Sequence, residues 1–284
     1  MTRYPSIISC AALLILTPST ISATGNASIS NPIHPAEILT DTIGGDAAPT
    51  INSQFLDIHF KKARAPSVDG VAPSARDCDT LAASPLDAAR PSGVQGVALK
   101  DIEFVASLKA CQAALKEQPD NARIIYQVGR VLYASGEFGN MRESITFLQI
   151  GAEKGNALAQ QTLAVMYQYG EGGLTADDAV AVRYYKLAAE QGFSFAQNNL
   201  GRMYEEARGG LPSDATEAVR LYLLAAEQGN PPAQLNLARM YEEGSGGLAR
   251  NKTEAVRLYT LAAKAGNETA RAQMQKFLEG GSAE

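Results

Sequence analysis

Two adjacent carboxylate pairs, Glu205/Glu206 and Glu242/Glu243, come closest in this sequence to a catalytic constellation. Paired carboxylates can divide general acid and base work when their surroundings hold them in different protonation states. Neighbouring positions on a helix point about 100° apart, however. Both pairs also recur at a fixed spacing of 37 residues, so a solvated helix face accounts for them more simply. Asp177/Asp178 reads as a capped helix start for the same reason. The only two histidines, His34 and His59, lie 25 residues apart in a polar stretch and do not form a metal-ligand pattern. Gly-Gly-Leu at 172–174, 209–211 and 246–248 lacks the Lys-Ser/Thr continuation of a phosphate-binding loop. Past His59 the chain has no histidine, which leaves the repeats without a histidine base for a nucleophile. The expectation is a protein that is not an enzyme, with no cofactor and no metal site.

Of 284 residues, 45% are apolar and 19% charged, which is ordinary globular composition able to form a core. A net charge of −5 without a basic stripe argues against nucleic acid as a partner. No apolar run reaches the 18 residues that would read as an integral membrane span. Residues 1–23 read as a signal peptide: Arg3, then the apolar centre from Ile7 to Leu16, then Pro18 and small residues ending at Ser22 and Ala23. A buried N-terminal helix is the alternative. Cys10 precedes most of the apolar region and is a poor lipid-attachment site. Export leaves Cys78 and Cys111 as a pair in an oxidising compartment, expected to form a disulfide; two free thiols are the alternative. From 24 to 75 the chain is rich in Ser, Thr, Asn, Pro and Gly without sustained periodicity, and it reads as a disordered arm or spacer. Within it, Phe55 to Lys62 forms a short apolar and basic patch.

Internal repetition dominates the rest. Ala-Glu-Lys-Gly at 152–155 recurs as Ala-Glu-Gln-Gly at 189–192 and 226–229, and as Ala-Lys-Ala-Gly at 263–266, each 37 residues apart. Gly-Gly-Leu keeps the same register, as does Arg-Met-Tyr-Glu-Glu at 202–206 and 239–243. Several motifs in one period define a repeat array. Each unit reads as a helical hairpin. Ala196, Leu200, Gly201 and Tyr204, and again Ala233, Leu237, Ala238 and Tyr241, line one face of a first helix. Asp177, Asp214 and Asn251 stand where a second helix needs an N-cap, with Glu217 and Glu254 placed as capping-box partners. Gly192, Gly229 and Gly266 close the second helices with a left-handed residue. A front helix over 101–117, with Ile102, Val105, Leu108, Cys111 and Leu115 inward, and a rear helix over 268–279 would shield the apolar ends of the stack.

Phe195-Ala196-Gln197-Asn198-Asn199-Leu200-Gly201-Arg202-Met203-Tyr204, then Ala218-Val219-Arg220-Leu221-Tyr222, then Ala225-Ala226-Glu227-Gln228-Gly229 resembles the Sel-one-like repeat, a relative of the tetratricopeptide repeat. The resemblance covers residues 122–279. The unit from Ala122 to Asn156 is 35 long, lacks Gly-Gly-Leu and looks closer to a tetratricopeptide unit. Cys78 to Cys111 resembles the front end of bacterial members. The resemblance implies an all-α fold, a right-handed α-solenoid with units 122–156, 157–193, 194–230 and 231–267 and a terminal helix at 268–279, preceded by a bridged segment over 76–121. It also implies scaffolding. Cysteine-rich members with penicillin-binding activity carry a cysteine pair in each repeat, which this sequence does not.

Stacked hairpins curve into a superhelix whose concave wall is lined by first helices. Asn198, Asn199, Arg202 and Glu205, then Asn236, Arg239 and Glu242, occupy outward positions on those helices and are the candidate partner-binding residues. Arg202 and Arg239 each precede a glutamate by three residues. The expected function is an exported adaptor, scaffold or regulator that binds a protein or peptide as a monomer. The alternative is a cell-wall-directed enzyme or small-ligand binder of the same fold, marked by a polar pocket.

Overall fold

Eleven α-helices and no strand are found among the described residues, 75–87, 90 and 92–280, of the computed structural model. The expected signal peptide over 1–23, most of the expected arm over 24–75 and both histidines lie outside the described residues. The chain divides into two compact units, one running to Ser144 and the other beginning at Ile145, inside a continuous helix.

The first unit holds α1 (Ala75–Ala82), α2 (Phe104–Glu117), α3 (Ala122–Ala134) and the start of α4 (Phe138–Glu153). Cys78 on α1 and Cys111 on α2 are joined by a disulfide, their Cα atoms 4.5 Å apart. Leu108, Cys111 and Leu115 are buried, as their spacing predicts. Two neighbours depart from expectation. The chain makes a 3-10 turn over Leu99–Asp101, and Ile102 N–H donates to Leu99 O, so α2 starts at Phe104 and not at 101. Ile102 therefore precedes the helix, and Val105, in the first turn, is 41% exposed rather than inward.

The second unit holds the remainder of α4, then α5 (Ala157–Tyr169), α6 (Asp178–Glu190), α7 (Ser194–Glu205), α8 (Ala215–Glu227), α9 (Pro231–Glu243), α10 (Lys252–Lys264) and α11 (Glu268–Gly280). From α5 onward each helix packs on the next, and the first helices α7 and α9 also touch. Consecutive packing of this kind is the geometry of a solenoid. Ala196, Leu200, Ala233, Leu237 and Ala238 are buried as the apolar stripe requires. The largest fully buried side chains are Tyr185, Tyr222 and Tyr259, one from each second helix. A Cβ on Gly201 would come within 2.8 Å of the Tyr222 ring, so the glycine admits that ring.

The second-helix caps form as expected. Asp177 accepts from Ala179 and Val180 N–H, Asp214 from Glu217 N–H, and Asn251 from Glu254 N–H. The reciprocal half of the capping box does not form. The Asp214 and Asn251 amides donate instead to Tyr204 O and Tyr241 O across the hairpin. That frees Glu217 and Glu254 to pair with Arg220 and Arg257 one turn on. Past the helix ends, Gly192, Gly229 and Gly266 have φ of 82°, 79° and 91°, a left-handed conformation that costs L side chains energy.

Candidate interaction face

The residues singled out from the sequence sit on α7 and α9, where the structure gathers them into several separate polar contacts. Asn199, Arg202 and Glu205 on α7, and Asn236 and Arg239 on α9, are half-buried; Glu242 is exposed. Asn198 differs: it is 2% exposed, donates to Asn199 and accepts from Asn236 at 2.9 Å. It joins two repeats from inside and does not face outward. Its counterpart one repeat on is Leu235, partly buried against the apolar core.

The arginines do not pair with the glutamates three residues later. Arg202 Nη2 donates to Glu206 Oε1 at 3.1 Å, and Arg239 Nη1 to Glu243 Oε2 at 3.1 Å, both across four residues. Arg239 Nη2 also reaches back to Glu205 of the preceding repeat. Burial works to lower the Arg239 guanidinium, and the charge and hydrogen bond of Glu205 together with the charge of Glu243 more than offset this, leaving its pKa raised.

Glu205 and Glu242 have second partners that sequence reasoning missed. Tyr222 OH donates to Glu205 Oε2 at 2.9 Å, and Tyr259 OH to Glu242 Oε2 at 2.8 Å; one repeat earlier, Tyr185 OH donates to Gln168 Oε1 at 2.7 Å. Burial, reinforced by the adjoining carboxylates, pushes the Tyr222 and Tyr259 phenols up, so both remain protonated donors. The legible signal was a tyrosine 17 residues after each acid or amide, repeated every 37. Each glutamate is thus oriented by a tyrosine hydroxyl, and the second oxygen of Glu205 accepts from Arg239.

A second ladder lies deeper. Gln160 and Gln197 donate to the carbonyls of Ala152 and Ala189, and their Oε1 atoms accept from Gln191 and Gln228. Gln234 repeats the donor half, to Ala226 O at 3.5 Å, but its Oε1 finds no partner among the described residues. Ala265 stands where the donor glutamine would be.

Helix pairs repeated at 37 residues and packed in sequence order define a helical-repeat protein, one that displays surface chemistry on its first helices. The family model of the Sel1 repeat matches residues 125–156, 157–193, 194–230 and 231–267, half of the chain, and the chain belongs to the Sel1 repeat family. Among solved structures it is similar to c5321, a protective antigen of uropathogenic Escherichia coli strains displaying an SLR fold. That match has 27% identity and a TM-score of 0.55, covering 64% of this chain and 38% of the antigen. It is also similar to a Sel1 repeat protein from Oxalobacter formigenes, with 32% identity and a TM-score of 0.47, covering 52% of this chain and 59% of that one. This chain therefore spans well under half the length of the E. coli antigen. Comparison with curated proteins returned no match. Sel1 repeats are in general modules of protein–protein interaction.

Proposed function

We propose that this protein is an exported adaptor or scaffold that binds another protein through the first-helix face of α7 and α9. The observation that carries this reading is the pairing of Arg202 with Glu206 and Arg239 with Glu243, repeated at a register of 37 residues beside Glu205 and Glu242, each of which accepts from a buried tyrosine. Arginine presents a planar fork of donors and is enriched among residues that dominate interfaces. A preorganised array of such groups loses little freedom on binding. The disulfide between Cys78 and Cys111 fits an oxidising compartment, and no helix among the described residues is long and apolar enough to cross a membrane.

Arg202 is the clean probe, because its ion pair is a local one, to the α7 C-cap residue Glu206 four residues on, and is worth only about 0.3–0.5 kcal/mol. Capture from an envelope extract with wild-type and Arg202→Ala protein, followed by titration of the captured partner, should show unchanged melting and about tenfold weaker binding for the variant, or about 1.4 kcal/mol. Equal affinity would remove the face from consideration.

A further inference from the structure

Consecutive joints between first helices differ in charge, and the difference falls on Arg202. In register, Gln168 and Tyr169 stand at the end of α5 where the next repeat has Glu205 and Glu206. Arg202 and Arg239 each donate to the acid four residues on. Arg239 also reaches back one repeat, to Glu205. The residue in that place for Arg202 is Gln168, whose Oε1 accepts from Tyr185 OH.

Donors are consequently left over at the joint between α5 and α7. The Arg202 side chain has one hydrogen-bond partner among the described residues, Glu206 Oε1, and Gln168 Nε2 has none. Glu206 is itself shared: its Oε2 lies 3.5 Å from Nη1 of Arg208, which already forks onto Asp178. Arg239, by contrast, holds two acids. A guanidinium offers five N–H donors and no acceptor, so what Arg202 lacks is an acceptor. Its side chain is 21% exposed and open to solvent.

Tyr169 borders the same place. Burial and the neighbouring Tyr169 push the Tyr185 phenol up, while Arg202, Arg208 and a hydrogen bond with Asn199 work to lower it, so these groups surround one hydroxyl. Tyr169 is 51% exposed, and Val165, one turn before it, is half-buried. An open aromatic ring thus takes the position of an acid, beside an arginine that is short of one. Tyrosine and arginine are both enriched where proteins meet.

We infer that Arg202 receives an aspartate or glutamate side chain of a partner protein, at the place Glu205 takes on Arg239, while an apolar residue of the same segment lies on Tyr169. The chain's own contact between Glu205 and Arg239 is the template, and the neutral Gln168 leaves the place unfilled. Charge selects the occupant. A carboxylate gives Arg202 the second acid that Arg239 already has, whereas a lysine would add a further cation beside Arg202 and Arg208. This inference rests on the interaction reading above and names the chemistry of the partner segment.

The test titrates the isotope-labelled full chain with acetylated, amidated Gly-Ser-Phe-Glu-Gly-Ser and with versions carrying glutamine or lysine for the glutamate, while NMR follows the Arg202 Nε–H resonance. The glutamate peptide should shift that resonance and bind about tenfold tighter than either control. Gln168→Glu supplies an acid from within the stack and still accepts from Tyr185, so it should abolish that preference without lowering Tm. Tyr169→Ala, at an exposed site, should remove the advantage that phenylalanine in the peptide has over alanine. No shift with the glutamate peptide at about 5 mM, equal binding of the glutamate and glutamine peptides, or an unchanged preference in either variant would overturn the inference. Tighter binding by the glutamine peptide with a free terminal carboxylate would overturn it too, by assigning the place to a chain end. If the peptides fail while the captured envelope partner still depends on Arg202, the interaction face stands and only the carboxylate assignment falls. A partner indifferent to Arg202 would instead bring down the face itself.

Discussion

Gln234 shows how one residue can end a ladder. Its Nε2 donates to Ala226 O while its Oε1, in a side chain 6% exposed, lacks the donor that Gln191 and Gln228 supply to earlier repeats. Leaving a buried amide oxygen unsatisfied costs about 1–3 kcal/mol. Ala265→Gln restores the missing donor at an exposed site, and it should stabilise the protein by about 1 kcal/mol, seen as a Tm rise of about 2–4 °C in calorimetry. No rise would mean that solvent already satisfies the oxygen. Tyr184 poses the reverse case. It stands where Leu221 and Leu258 stand in later repeats, and burial pushes its phenol up. Its hydroxyl has no hydrogen-bond partner among the described residues, although its ring stacks on Tyr167 at 6.0 Å. Tyr184→Phe keeps the ring and removes the stranded group, so denaturant unfolding should show a gain of up to about 1 kcal/mol; a loss of 1 kcal/mol or more would reveal an ordered water there.

Helix starts with a capping side chain were readable because capping chemistry is local, whereas the start of α2 at Phe104, which no side chain caps, was not. Asp177, Asp214 and Asn251 cap α6, α8 and α10 as their residue types require, and the period of 37 placed every hairpin of the second unit. What the sequence could not reveal were choices settled across a hairpin or between repeats. Glu217 and Glu254 turned to arginines because tyrosine carbonyls had already taken the cap amides. Arg239 reached Glu205, 34 residues back, because the packing of α9 on α7 shortens that distance below what helix spacing alone suggests. The loop between α7 and α8 is a further case. A Cβ on Gly209 would lie 2.4 Å from Asp178 O on α6, and its φ is +62°, so the glycine lets this loop seat on the preceding second helix. Beside it, Arg208 forks onto the Asp178 carboxylate with two 2.8 Å bonds. Gly209→Ala should therefore lose about 1–3 kcal/mol in chemical denaturation, and Arg208→Ala less than 1 kcal/mol because that pair is partly solvated. Equal effects would show that the ion pair, not the close backbone approach, sets the joint between repeats.

At the scale of the whole molecule, stability is built in two ways. The second unit is a nearest-neighbour stack, in which each helix depends mainly on the two beside it in sequence. The first unit relies on links distant in sequence: the Cys78–Cys111 disulfide, the Asp79 carboxylate held by Arg123 and Gln127, and Arg130 on Ala82 O and Val97 O. Gln127 Oε1 also lies 2.9 Å from Cys78 Sγ, a contact and not a hydrogen bond, because a disulfide sulfur carries no proton. Closing a loop of 33 residues restricts the unfolded chain by about 3–4 kcal/mol. All these partners precede Ser144, so the loss on breaking the bridge belongs to the first unit. Cys78→Ser with Cys111→Ser should speed amide hydrogen exchange in α1, α2 and α3 by about two orders of magnitude or more, while α9 and α10 exchange as before. If α9 and α10 lose protection to the same degree, the two units unfold as one and the nearest-neighbour description of the stack is wrong. Unchanged exchange in α1–α3 would show that the buried Asp79 and Arg130 links hold the unit without the bridge.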